Sequence, residues 1–112
     1  MGQAKDAAMG SWLRDMREAR GEPLRAVAAS VGLDPATLSK IERGDRLATG
    51  EQTSELAEHF GIPAEELQAR RIATDFLGRY GAHPGVPQAL GLIRESLANR
   101  RRLPGEAFRD EE

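Results

Sequence analysis

The sequence predicts an all-α protein, a five-helix domain followed by a C-terminal helical extension. Three observations carry this. Apolar residues recur at helical spacing along the chain, and no run alternates apolar and polar residues as a half-buried strand does. Glycines and prolines punctuate that pattern at the positions where helices stop and start. The chain has 112 residues and no cysteine. A chain of that size buries roughly two-thirds of its unfolded surface, so it needs neither disulfide nor thiolate-bound metal to fold.

The elements follow in order. A first helix is expected over 6–20, with Met9, Leu13 and Met16 on one face, Trp12 widening the stripe and Gly21 as the stop. A second spans 24–31, with Leu24, Val27, Ala28 and Val31 inward, and ends at Gly32. The third has the clearest start. Asp34 is a good N-cap residue and Pro35 suits the first helical position, where a missing N–H costs nothing. Leu38 and Ile41 face the core, and Gly44 follows Arg43 as a left-handed cap. Thr49 and Gln52 have the spacing of a capping box opening a fourth helix, in which Leu56, Ala57 and Phe60 point inward and Gly61 ends the run.

A fifth helix opens after Pro63. Its apolar stripe, Leu67, Ala69, Ile72, Ala73, Phe76, Leu77 and Tyr80, predicts one unbroken helix to Tyr80. Glu65 and Glu66 suit its first turn through the helix dipole. Gly81, Pro84, Gly85 and Pro87 mark a turn. A sixth helix is expected over 87–102, striped by Val86, Leu90, Ile93 and Leu97, and residues 103–112 read as a loose acidic tail. The stripes of the last two helices either enlarge the core or form a dimer interface, and the second reading is preferred.

Composition narrows the function. No apolar run approaches the roughly 20 residues needed to cross a bilayer, residues 1–10 lack the apolar region of a signal peptide, and the expected compartment is the cytoplasm. The few aromatics, Trp12, Phe60, Phe76, Tyr80 and Phe108, are not clustered as a single-strand or RNA platform requires. His59 and His83 have no partner at metal-ligand spacing, and Ser39 and Thr37 have no nearby histidine to activate them, so neither metal, cofactor nor enzymatic activity is expected. The net charge of −2 disguises an uneven distribution. Lys40, Arg43 and Arg46 form a basic cluster between acidic stretches, and local placement sets the field a phosphate meets.

Residues 24–41 have the pattern of a helix-turn-helix. Two short helices crossing steeply over a tight turn need a small residue in the first, supplied by Ala28. They need a residue tolerant of positive φ in the turn, supplied by Gly32. The shared core needs apolar residues at Val27, Val31, Leu33, Leu38 and Ile41, and all are present. The segments LRDMREARG (13–21), LRAVAASVGLDPATLSKIERG (24–44) and ELAEHFGIPAEEL (55–67) resemble the Cro/C1-type (Xre) helix-turn-helix regulators, with SKIERG (39–44) the most specific piece.

The resemblance implies a five-helix, lambda-repressor-like DNA-binding domain over 6–67; the stripes beyond it make 68–102 a helical extension and expected dimerisation arm, followed by the tail over 103–112. It implies an internal ion pair between Arg17 and Glu42. It places base contacts on Pro35, Ala36, Thr37, Ser39 and Lys40, and phosphate contacts on Arg25, Arg43, Arg46 and the amides opening the second and fourth helices. Pro35 and Ala36 depart from the Gln or Ser common there, and can touch a thymine methyl but not hydrogen-bond a base edge. Glu22 and Pro23 stand where an apolar residue and a Ser or Thr cap are common, leaving the second helix poorly capped. The expected function is a dimeric repressor on a palindromic operator in double-stranded DNA. The alternative is an antitoxin-like or adaptor module that keeps this fold to hold a protein partner.

Overall fold

The computed structural model describes residues 9–102, with side chains as far as residue 100. Among them are six α-helices and no strand: α1 (Gly10–Ala19), α2 (Leu24–Ser30), α3 (Pro35–Arg43), α4 (Gly50–Phe60), α5 (Ala64–Tyr80) and α6 (Val86–Arg102). The chain divides into two units between Arg79 and Tyr80. The first holds α1 to α4 and nearly all of α5; the second holds α6.

The core of the first unit is built by the periodicity seen in the sequence. Met9 and Leu13 of the α1 face, Val27 and Ala28 of α2, Leu38 and Ile41 of α3, and Leu56, Ala57 and Phe60 of α4 are all buried. Trp12, Met16, Leu24, Leu33 and Ile62 pack against them from the edge. The helix α1 starts at Gly10; the positions before Met9 where an earlier start was expected lie outside the described residues. Gly10 sits where a Cβ atom would lie 2.6 Å from the Ile41 carbonyl oxygen and 2.7 Å from that of Glu42. The start of α1 therefore rests directly on the backbone at the end of α3.

The α2–α3 turn has the conformation its sequence predicts. Gly32 has φ +71°, and the Leu33 amide donates to the Ala28 carbonyl at 2.8 Å. The helix α2 ends at Ser30, one residue short of expectation, and no side chain caps its start at Pro23. The bounds of α3 agree with the prediction, with Gly44 at φ 82°. The cap does not: Asp34 has the cap position but its carboxylate makes no capping hydrogen bond. The capping box of α4 is complete, Gln52 N donating to Thr49 Oγ1 at 3.0 Å and Thr49 N to Gln52 Oε1 at 2.9 Å.

The helix α5 runs unbroken from Ala64 to Tyr80 as expected, and its apolar stripe is partly covered. Leu67 is buried and Phe76 and Leu77 are half-buried, whereas Ala69 and Ala73 are exposed, Ile72 is 63% exposed and Tyr80 51%. Polar side chains also fasten it. Gln68 Nε2 donates to the Gly50 carbonyl at 2.9 Å, Arg71 Nε to the Ala48 carbonyl at 2.7 Å, and Thr74 Oγ1 accepts from Met9 N at 2.9 Å. The Arg70 guanidinium lies 4.4 Å from the centre of the Trp12 ring, a cation–π contact. In the second unit, α6 begins at Val86, one residue earlier than expected, and Leu90, Leu92, Ile93 and Leu97 are all exposed. The acidic tail predicted at 103–112 lies outside the described residues.

Candidate nucleic-acid interface

The third helix has two faces with different work. Its inner face is fixed. Leu38 and Ile41 are buried, and Glu42, 8% exposed, is held by Arg17 of α1. Arg17 Nε donates to Glu42 Oε2 at 2.7 Å and Arg17 Nη2 to Glu42 Oε1 at 3.0 Å, a two-pronged bond between flat groups. Arg17 Nη1 donates to the Glu22 carbonyl at 3.0 Å, so one guanidinium joins α1, α3 and the loop before α2. The hydrogen bond to Glu42 raises the Arg17 pKa above its already high ordinary value. With Gly10 against the end of α3, these contacts set the tilt of the helix.

Its outer face is open. Pro35, Ala36 and Lys40 are exposed, and Thr37 and Ser39 are half-buried. Arg43 is exposed at the last turn, Arg46 is exposed in the following loop, and Arg25 is exposed in the first turn of α2. The polar groups are not all free. Arg43 Nη1 donates to Ser39 Oγ at 2.6 Å, and Arg43 Nε donates to Asp45 Oδ2 at 3.0 Å. The Lys40 side chain makes no hydrogen bond or ion pair among the described residues. The first turn of α2 has no capping side chain; the Ala26 amide donates to the Pro23 carbonyl at 3.1 Å, and the Leu24 and Arg25 amides before it face the start of the helix, where an anion can approach. At the start of α4 the Gln52 amide is taken by Thr49.

Asp34 and Asp45 were missed as parts of this surface. The sequence marks Asp34 only as a cap, and the spacing of Arg43 and Asp45, two residues apart in a turn, is the available signal for their pair. A groove of about 630 Å³ lies between the α2–α3 turn and the start of α4, lined by Ser30, Gly32, Leu33, Thr49, Glu51 and Glu55. Its two carboxylates make it a poor place for phosphate and bound the basic face on that side.

A second polar constellation was also missed. Ser30 Oγ lies 2.9 Å from His59 Nδ1, and His59 Nε2 lies 3.0 Å from Glu22 Oε1. The hydrogen bond with His59 lowers the Glu22 pKa, and Arg20 adds to this. The order Ser–His–Glu is that of a nucleophile, its base and an orienting acid. The amides nearest Ser30 are already used, however: Val31 donates to Val27, Gly32 to Ala29 and Leu33 to Ala28. No donor is left there to hold a developing oxyanion. The three residues instead brace the loop before α2, the end of α2 and the end of α4. The His83 ring is likewise structural, its Nδ1 accepting from the Gly85 amide at 2.9 Å. Among the described residues no group of three or more metal-ligating side chains gathers, and no helix is long and apolar enough to cross a membrane.

Two short helices joined over a positive-φ glycine, the second locked inward and open outward, within an all-α, lambda-repressor-like arrangement, define a helix-turn-helix protein of the DNA-binding class. The family model described as a helix-turn-helix domain matches residues 8–69, more than half of the sequence, and the chain belongs to that family. No curated protein and no solved structure matches it significantly.

Proposed function

We propose that the chain is a Cro/C1-type transcriptional regulator that acts as a dimeric repressor, setting α3 into the major groove of a palindromic operator. The observation that carries this reading is the division of labour on α3. Leu38, Ile41 and Glu42 fix the helix from within, while Pro35, Ala36 and Lys40 stand exposed along its length and Arg43 and Arg46 at its end. In this reading Pro35, Ala36, Thr37, Ser39 and Lys40 face base edges. Arg25, Arg43, Arg46 and the amides opening α2 hold phosphates, while the start of α4, capped by Thr49 and flanked by Glu51 and Glu55, does not. Residues 6–67 are the DNA-binding part, 68–102 the arm and 103–112 the tail. One helix-turn-helix reads only a few base pairs, so a second copy, paired through the exposed apolar stripe of α6, supplies the other half-site about 34 Å away.

The test is selection of bound fragments from random duplex DNA by the full chain. Recovery of a two-fold symmetric site is the expected result. Lys40→Ala, Arg43→Ala and Arg46→Ala together weaken specific and non-specific binding alike, and each lost phosphate contact flattens the salt slope by about 1. A triple variant that binds like the parent overturns the reading. A second function, a module that holds a protein partner, draws support from the Arg43–Asp45 pair, which offsets part of the basic cluster's charge. It predicts no salt-dependent binding to any duplex.

A further inference from the structure

The leading edge of α3 shows what kind of base the protein reads, given the proposal above that this helix enters the major groove. Pro35 and Ala36 are exposed there, and neither side chain carries a hydrogen-bonding group. Asp34, just before them, offers an acceptor only. Guanine presents two acceptors in the major groove, and adenine an acceptor beside a donor. A two-pronged bond to either purine needs a side-chain donor; Asp34, Pro35 and Ala36 supply none, and Thr37 behind them is half-buried. Ser39, one turn on, accepts a hydrogen bond from Arg43 at 2.6 Å, which fixes its oxygen but leaves its O–H able to donate. The feature of a base that an apolar edge recognises is the C5 methyl group of a pyrimidine.

The edge is also stiff. Proline has its φ fixed by its ring and alanine has no rotamers to lose. The helix beneath is pinned by Leu38, Ile41 and the Arg17–Glu42 pair. A methyl contact needs close fit rather than reach, and a stiff, flush surface suits it. We infer that Pro35 and Ala36 form a methyl-reading edge, specific for a C5-methyl pyrimidine in each half-site. Thymine and 5-methylcytosine both present that group.

The experiment starts from the duplex recovered by selection and measures its affinity for the full chain. Each thymine is replaced in turn by deoxyuridine, which deletes the methyl and keeps the pairing. At one or two positions per half-site the affinity falls about fourfold, the size expected for one buried methyl group. In the variant Pro35→Ser with Ala36→Gly, the ratio of thymine to deoxyuridine affinity at those positions falls to one. A variant that has lost its fold or its specific binding also gives a ratio of one, so the result counts only if the double variant melts as the parent does and still prefers the selected duplex to a scrambled one. Pairs of cytosine and 5-methylcytosine with guanine at the same positions then separate the sources. Recovery on methylation adds 5-methylcytosine to the bases read, and no recovery restricts the edge to thymine. Affinity indifferent to every deoxyuridine, or a ratio that survives in the double variant, overturns the inference while leaving DNA binding intact. Failure to recover any duplex removes the DNA-binding reading, and this inference with it.

Discussion

At the scale of single residues, the Arg17–Glu42 pair is the clearest case of structure serving recognition. Both side chains are largely withdrawn from water, 13% and 6% exposed, so neither charge is comfortable alone. Arg17→Ala strands a buried carboxylate and is expected to lower stability by about 3–5 kcal/mol in urea unfolding. The double variant Arg17→Met with Glu42→Leu strands no charge and is expected to lose much less, which separates the pair's net worth from the cost of breaking it. Glu22 makes a pH-dependent contribution. Its folded pKa lies below the ordinary value of 4.5, so its stabilisation is fully present above that value and is lost as pH falls through the lowered one. Glu22→Gln is therefore expected to flatten the dependence of Tm on pH below about 4.5. A slope equal to the parent's shows that other carboxylates account for acid unfolding. The pair of Glu22 with His59 was not legible in the sequence, because the two are 37 residues apart and only the fold brings them together.

At the scale of elements, legibility followed local chemistry. The bounds of α3 were readable because Pro35 and Gly44 act on their own backbone, whatever surrounds them. The α4 capping box was readable for the same reason, and Thr49→Ala is expected to cost about 1 kcal/mol in thermal unfolding. A loss near zero would mean that Gln52 alone holds the first turn. What the sequence did not show was how α5 is fastened: Gln68, Arg71 and Thr74 find carbonyls and an amide on Ala48, Gly50 and Met9. Periodicity reports which residues share a face, not which face meets the core, and polar docking leaves no periodic trace. The outer face of α3 was legible in its residue types. The withdrawal of Ser39 and Arg43 into bonds with each other depends on rotamers and was not.

At the scale of the whole molecule, the exposed stripe of α6 matters most. Leu90, Ile93 and Leu97 are 49%, 44% and 47% exposed, at the spacing used by paired helices. With the proposed dimer, the parent sediments as a two-fold assembly at tens of micromolar. Ile93→Asp with Leu97→Asp sediments as a folded monomer, and operator affinity falls roughly 100-fold or more as the second half-site is no longer tethered. A parent that is monomeric under these conditions, or a double variant that stays dimeric, places pairing elsewhere.

The α2–α3 turn has one consequence for chemistry rather than for biology. Gly32 adopts a backbone that belongs to the mirror image of an ordinary helical residue, and an added Cβ meets nothing within 4 Å. For an L-amino acid that open space is of little use, because the strain lies in the backbone itself. A D-amino acid has the opposite handedness and finds the same conformation natural. A synthetic chain with D-alanine at Gly32 should therefore fold unchanged and melt higher, by the roughly 0.4–1 kcal/mol gained when a freely rotating residue is restricted in the unfolded chain. The L-alanine epimer, identical in composition, should melt lower than the parent. The chirality of a single carbon would then report the handedness of the turn that joins the two helices.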